Sequence, residues 1–228
     1  MTNGLFLTLV VSLLLIAFSL IFTRKIKMVP GKLQGVVEMG FESLLNLMNS
    51  TLGSMEAAEK CFPLIATIFI FILCSNLMGI LPGVGSLMFK HAGEEVPLFR
   101  SPAADLNFTL AFAVISVIVT NIIGMASVGA FRHLSKFFNF KGPIDFFIGI
   151  LELISELAKI ISLSFRLFGN VFAGEVLLTI ISFLAPYFIP LPFLFLEIFV
   201  GGIQAFIFAT ITLVSISLHT SVHGEEHH

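Results

Sequence analysis

The chain has 228 residues, of which 57% are hydrophobic and only 11% are charged, and its formal net charge is −2. Soluble globular domains carry about a quarter charged residues, so this composition excludes a soluble enzyme. It predicts a polytopic all-α integral membrane protein, in which the placement of the charges matters more than their sum. No nucleotide-binding loop, metal-ligand cluster or nucleophilic triad occurs, so we predict no catalysis, no cofactor, no metal and no nucleic-acid partner.

The first predicted element is an apolar run over residues 4–23, long enough to cross a hydrocarbon core about 30 Å thick. No basic residue precedes the run, whereas Arg24, Lys25 and Lys27 follow it. A cleaved signal peptide would have its charge ahead of a shorter apolar run. We therefore predict a first span with its N-terminus outside and its basic end in the cytoplasm.

The next element, residues 32–52, alternates apolar and polar side chains at helical spacing. This pattern predicts an amphipathic helix lying at the cytoplasmic interface. Two further spans follow, over residues 62–81 and 108–130. The loop between them has no basic excess and suits the outer side, whereas the loop after residue 130 is basic and belongs in the cytoplasm.

Residues 144–185 contain no proline and, as one helix, would be about 63 Å long, twice the hydrocarbon thickness. We predict one steeply tilted helix rather than two helices with a hidden turn. A proline-rich turn then leads into a last helix, residues 193–218, which is similarly slanted and returns as a hairpin. Together these elements predict one membrane domain, 1–228, with about five crossings, one interfacial helix and a cytoplasmic C-terminus.

Arg166 lies in the most apolar part of the long helix. Arginine keeps its charge at any ordinary pH, and a central intramembrane charge costs at least about 2.5 kcal/mol. On a helical wheel, Glu175 lies opposite Arg166 and about 14 Å further along. A fixed cation on one face and a carboxylate on the other indicate two aqueous environments separated by a charge barrier. The polar residues within about 40° of Arg166 are Glu152, Ser155, Lys159, Ser162 and Asn170.

Helix packing is the alternative role for Ser155, Ser162 and Gly169, since polar groups hold membrane helices together and small residues let their backbones approach. An unpaired cation contributes nothing to packing, so this alternative does not account for Arg166.

The last predicted helix carries Glu197 and Gln204 on one stripe. In an antiparallel hairpin, Glu175 near the end of one helix approaches Glu197 near the start of the other. Two nearby carboxylates cannot both ionise cheaply in a poorly solvated site, so such a pair holds and passes a proton near neutral pH. Two independent carboxylates that reach the outer interface are the alternative.

Four motifs are specific enough to suggest a family. They are Arg166-Leu167-Phe168-Gly169-Asn170 with Ala173-Gly174-Glu175, Gln204-Ala205-Phe206-Ile207-Phe208, Ala104-Asp105-Leu106-Asn107-Phe108-Thr109, and Asn76-Leu77-Met78 with Leu81-Pro82. Together they resemble subunit a of bacterial F-type ATP synthases, and the resemblance runs from about residue 33 to residue 217.

The resemblance implies a stator channel against which a ring of c subunits rotates. Two offset proton half-channels would reach an essential carboxylate on each ring helix and couple proton translocation to rotation and ATP synthesis. Arg166 would face the ring, attract the passing carboxylate and block leakage between the half-channels. Glu152 and Ser155 would belong to the cytoplasmic half-channel. The outer half-channel or its junction with the ring would contain Asn76, Asn170, Glu175, Glu197 and Gln204.

The implied partners are the c-subunit ring, the peripheral-stalk b subunits, the rest of the ATP synthase and membrane lipid, in a bacterial plasma (inner) membrane. Many bacterial relatives pair a glutamate with a histidine where this chain has Glu175 and Glu197. Two acids should change the pH range of proton uptake. They also raise the question of sodium, but we favour protons because ion choice in the family resides mainly in the ring.

Two other functional classes compete with a proton channel. A secondary transporter could carry an anionic solute to Arg166, but transporters show repeats and broken helices, and neither pattern occurs here. The second is a non-conducting membrane scaffold.

Two further expectations concern cysteine and histidine. Cys61 and Cys74 are too far apart on one helix for a disulfide. The histidines His219, His223, His227 and His228 are predicted to form a solvated tail, with adventitious metal binding as the alternative.

Overall fold

The computed structural model describes residues 3–24, 27, 31–80, 88–91, 94–97, 101–129, 142–185 and 188–220. Most of these residues lie in α-helices, which we number in chain order. They are α1 (Asn3–Arg24), α2 (Lys32–Leu52), α3 (Met55–Ile80), α4 (Leu106–Val128), α5 (Pro143–Leu184) and α6 (Pro190–Thr220). Between α3 and α4 lie two short antiparallel strands, β1 (Met88–His91) and β2 (Glu94–Pro97), and a 3-10 turn, Pro102–Ala104.

Five of these helices, all except α2, are long and apolar enough to cross a membrane. The predicted fold class, an all-α membrane protein with five spans and one amphipathic helix, is therefore confirmed. The pair of strands was not predicted, because the sequence between α3 and α4 indicated only a loop. The single-domain assignment and the tilt of the helices in a bilayer stay predictions.

Two helix starts differ from the predicted spans by three residues or more. We placed the second span at residue 62, but α3 begins at Met55 and contains Pro63 in its interior. Its first turns are polar and carry an ion pair of 2.7 Å between Lys60 Nζ and Glu56 Oε1, so the apolar stretch marks only part of the helix. The last helix begins at Pro190 rather than at residue 193, since a helix tolerates proline in its first turn, where the missing N–H would be unpaired.

The long segment around Arg166 is one uninterrupted helix of 42 residues. Gly169 and Gly174 do not end it, and it continues to Leu184, six residues before the start of α6. The prediction of one helix without a hidden turn is confirmed.

Helix α6 is the centre of the bundle and contacts α2, α3, α4 and α5. Small residues of α6, Ala205 and Ala209, are fully covered, which allows the neighbouring backbones to approach closely. One core cluster joins α3, α4, α5 and α6 around Leu167 and Phe208. A second cluster docks the end of α2, through Met48, onto α3 and α6.

Only one side of α5 packs against the bundle. Leu163, Ser164 and Leu167 are buried, and Ser164 shares a hydrogen bond of 3.1 Å with Thr109 of α4. Ile161 and Phe165, on the other side, are exposed. This fold therefore presents a long, largely apolar surface of α5 that α3, α4 and α6 leave uncovered.

Candidate functional site

Arg166 lies on the uncovered side of α5, about midway along the helix. Its Nη2 donates a hydrogen bond of 3.1 Å to Ser162 Oγ, one turn earlier. Among the described residues, no carboxylate forms an ion pair with the guanidinium. An exposed arginine without an anionic partner among these residues is available to a carboxylate presented by another molecule.

A small cavity, partly open to the surroundings, lies where α3, α5 and α6 meet beyond Arg166. Its wall includes Asn170, which is one helical turn from Arg166, or about 6 Å along the axis. Five of the eight residues predicted from the sequence line this cavity together: Asn76, Asn170, Glu175, Glu197 and Gln204.

Glu197 packs directly against the backbone of Gly174, the residue before Glu175. A Cβ atom added to Gly174 would lie 2.5 Å from Glu197 Oε1, so a side chain at this position would displace the Glu197 carboxylate. Glu197 Oε2 is buried and has no hydrogen-bond partner within the described part of the chain. The hairpin thus brings the two acids to the same cavity, as the antiparallel arrangement predicted.

Two polar residues from α3 and the turn before α4 complete the cavity wall. Asn76 Nδ2 donates a hydrogen bond of 3.0 Å to the carbonyl oxygen of Gly201. Ser101, which sequence reasoning missed, packs so tightly on Gly79 that an added Cβ would lie 2.5 Å from its Oγ. Asn76 Oδ1 and Ser101 Oγ are buried without partners among the residues described. A polar wall of this kind is suited to bound water.

Glu175 is half-buried and also lines a second, open depression on the outer surface of α5, beside Phe172 and Thr179. It therefore lies between the cavity, which contains Glu197, and the uncovered side of α5. This position suits a group that exchanges protons between the two regions.

The structure reveals a second polar cluster on α5, towards the N-terminal end of the helix. Glu156 is only 7% exposed, and polar side chains from α4, α5 and α6 contact its carboxylate. Lys159 Nζ lies 2.9 Å from Glu156 Oε1, and Asn121 Nδ2 of α4 lies 3.3 Å from Glu156 Oε2. His219 Nε2, from the last turn of α6, lies 3.4 Å from Glu156 Oε1.

The two residues predicted for the cytoplasmic half-channel lie near this cluster but differ in surroundings. A carboxylate oxygen of Glu152 lies within 4.8 Å of the facing atoms of Glu156 and His219, whereas Ser155 is exposed on the surface of α5. The structure does not place either residue in the cavity.

The prediction of a solvated tail is wrong for His219, which is 3% exposed and belongs to α6. The helix continues beyond residue 218, so its last turn carries His219 into the bundle beside Glu156. The available signal was its position one turn after Ser215, on the face of α6 that carries Glu197 and Gln204. His223, His227 and His228 lie outside the described residues.

Comparisons with a family model and with individual known proteins point to the same family. A family described as ATP synthase A chain matches residues 5–217. The chain is 35% identical to an ATP synthase subunit a of Campylobacter jejuni, over 96% of this chain and 89% of that protein. It is 35% identical to an ATP synthase subunit a 1 of Pelobacter propionicus, over 92% and 83%. It is also 35% identical to an ATP synthase subunit a of Moorella thermoacetica, over 95% and 89%.

Proposed function

Because this chain belongs to the ATP synthase subunit a family, we propose that it is the proton-conducting stator of the membrane sector. In this proposal, two offset half-channels lead to and from a carboxylate on each helix of a c-subunit ring. Proton translocation is thereby coupled to ring rotation and ATP synthesis, and the chemistry of ATP takes place in other subunits.

The observation that carries this proposal is the position of Arg166 between two clusters of titratable side chains on one helix. Glu156 lies ten residues before Arg166 and Glu175 nine residues after it, or about 15 Å and about 14 Å along the axis. The two clusters are thus about 29 Å apart along the helix axis. A proton can be held at either end, but a permanent positive charge stands between them.

The exposed guanidinium supports the role of Arg166 at the ring. It attracts an ionised carboxylate on a passing ring helix, because no acid of the described chain already neutralises it. It also repels a proton that would move directly from one cluster to the other, since Coulomb repulsion is strong where water is scarce. Protons must then travel on the ring.

In the outer half-channel, we assign proton binding to Glu197 and Glu175, and water positioning to Asn76 and Gln204. Asn170 links the cavity to the region of Arg166. Glu152 and Ser155 belong to the cytoplasmic half-channel on the other side of Arg166.

The uncovered side of α5 is the proposed contact with the c ring, because it is apolar and contains Arg166. The peripheral-stalk b subunits, the rest of the synthase and lipid cover other surfaces. The basic residues after α1 and between α4 and α5 support a cytoplasmic location for those segments. This orientation gives an external N-terminus and a cytoplasmic C-terminus in a bacterial plasma membrane.

Thiol labelling from each side of the membrane tests the two half-channels. In a chain with Cys61→Ser and Cys74→Ser, single cysteines are introduced as Asn170→Cys, Glu152→Cys and, as a control on the apolar uncovered side of α5, Ile161→Cys. An impermeant reagent that attacks thiolates requires water at the site. We expect labelling of position 170 from the outside, of position 152 from the cytoplasmic side, and of position 161 from neither. Labelling of 152 and 170 from the same side would contradict the proposal.

A further inference from the structure

Three buried oxygen atoms in the residues of the cavity wall have no hydrogen-bond partner within the described part of the chain. They are Asn76 Oδ1 of α3, Ser101 Oγ of the turn before α4 and Glu197 Oε2 of α6. Asn76 and Ser101 are each only 1% exposed. A buried polar atom without a partner costs free energy. Three such atoms around one cavity therefore indicate a ligand that forms hydrogen bonds with all of them.

The hydroxyl group of Ser101 is not used by the local fold. A serine that precedes a helical turn usually accepts a hydrogen bond from a backbone N–H. Ser101 precedes the 3-10 turn Pro102–Ala104 but makes no such side-chain bond. The backbone closes this turn instead, since the N–H of Ala104 donates to the carbonyl oxygen of Ser101 at 3.1 Å. The Ser101 side chain packs on Gly79 in the cavity wall, where its hydroxyl is available to a ligand.

The donors and acceptors of the three groups match a single water molecule. The Asn76 carbonyl oxygen and an ionised Glu197 carboxylate only accept hydrogen bonds, whereas the Ser101 hydroxyl can donate one. Water has two O–H groups for the two acceptors and a lone pair for the hydroxyl. Asn76 Nδ2 already donates to the carbonyl oxygen of Gly201, which fixes the amide and leaves Oδ1 as the acceptor. The cavity has room for about one water molecule.

We propose that Ser101 is a positioning residue for proton uptake, which holds a water molecule against Asn76 Oδ1 and Glu197 Oε2. This inference rests on the proposed function, because it places the held water in the outer half-channel. During synthesis, one O–H bond of the held water breaks as an O–H bond forms at Glu197 Oε2. A hydronium ion on the outer side supplies the proton for the replacing O–H bond, so the held water is restored. During pumping the same bonds form and break in the reverse order.

The titratable groups of the described cavity wall are Glu197 of α6 and Glu175 of α5. The other polar residues of this wall are neutral, and they are Asn76 of α3, Ser101 of the turn, Asn170 of α5 and Gln204 of α6. A substitution of Ser101 therefore leaves the charges around Glu197 unchanged. Its effect on proton uptake reports the held water.

The test uses the whole ATP synthase in inverted membrane vesicles, whose lumen contacts the outer side. The rate of ATP synthesis is measured against lumen pH, while the total proton-motive force is kept constant with a potassium gradient. Ser101→Ala removes the donor to the held water. We expect half-maximal synthesis to require about fivefold more lumenal protons, or a pH about 0.7 lower, because one hydrogen bond is lost. The maximal rate at acid lumen pH should equal that of wild type.

Ser116→Ala is the structural control. Ser116 Oγ of α4 is also buried without a partner among the described residues, but Ser116 does not line the cavity. This variant should keep the half-maximal lumen pH of wild type.

Two double variants separate the hydroxyl group from the volume that it fills. A Cβ added to Gly79 would lie 2.5 Å from both Cβ and Oγ of Ser101. Gly79→Ser combined with Ser101→Gly therefore moves the hydroxyl across this contact and should restore the half-maximal lumen pH of wild type. Gly79→Ala combined with Ser101→Gly restores only the volume and should keep the shift. This comparison tests the hydroxyl even if Ser101→Ala assembles poorly.

An unchanged half-maximal lumen pH in assembled Ser101→Ala, or the same value in the two double variants, would overturn the role of Ser101. The proposed function fails on a different measurement, the labelling of positions 152 and 170. Labelling from opposite sides, combined with an unchanged half-maximal lumen pH, would remove the role of Ser101 and leave the half-channels in place.

Discussion

The two acids of the cavity have different surroundings at the scale of single residues. Glu197 packs on Gly174, and its Oε2 is buried without a partner among the described residues. Glu175 lines both the cavity and the open depression on α5. Glu197 is therefore the inner member of the pair, and Glu175 is the member that faces the proposed path to the ring.

This arrangement predicts that Glu175→Gln and Glu197→Gln each slow passive proton conduction through the isolated membrane sector. A neutral amide cannot accept and release the proton. Because the acids share one cavity, the loss in the double variant should be smaller than the sum of the single losses. Strictly additive losses would show that the two acids act independently.

Glu197→His should preserve proton flux and shift its pH optimum. Imidazole also titrates near neutrality, and it is large enough to reach the Gly174 backbone from the same position. The measurement is the pH profile of ATP-driven pumping, with Glu197→Gln as the non-titrating reference. A profile identical to that of wild type would contradict a proton-binding role for this position.

The sequence predicted the residues whose chemistry conflicts with their surroundings. Arg166, Glu175 and Glu197 are charged residues in apolar helices, which made them candidates without any structure. Ser101 gave no such signal, since a serine in a loop is ordinary. The importance of Glu156 was also hidden, because its burial depends on Asn121 and His219, which lie 35 and 63 residues away in the chain.

The decisive feature at the scale of helices is the close approach of α5 and α6 at Gly174. The distance of 2.5 Å between an added Cβ and Glu197 Oε1 leaves no room for a side chain. The carboxylate of Glu197 would have to leave the α5 backbone and move within the cavity.

Gly174→Ala should therefore reduce proton pumping several-fold while the subunit still assembles. The matched control is Gly202→Ala on α6, where an added Cβ would meet only Leu73 Cδ1, at 3.9 Å. Alanine is the better helix former by about 1 kcal/mol, so this control should pump normally. Equal pumping by the two variants, with equal amounts in the membrane, would contradict the steric account.

Helix number and helix ends differ in how far the sequence specifies them. Apolar length identified five spans, because a bilayer requires about 20 apolar residues per crossing. The start of α3 was missed, since its first turns are polar and end in the pair of Glu56 and Lys60. Hydrophobicity reports burial in lipid, whereas a helix is defined by its hydrogen bonds, which extend past the apolar stretch.

At the scale of the whole molecule, the charge distribution predicts a single orientation. Cysteines introduced by Asn3→Cys and Ser221→Cys, in a chain without Cys61 and Cys74, should react with impermeant reagents from opposite sides. Position 221 should label from the cytoplasmic side, since an odd number of crossings separates the termini. Labelling of position 221 only from the outside would show that the five-crossing hairpin is wrong.

The central claim is that the charge of Arg166 separates two proton pathways, and substitution of this residue in the whole complex tests it most directly. Arg166→Ala should abolish both ATP-driven pumping and proton-driven synthesis, while immunodetection shows an assembled complex. Arg166→Lys should also fail largely, because an ammonium lacks the planar, delocalised charge and loses its proton more readily in a dry site. Pumping near the wild-type rate by either assembled variant would contradict the claim.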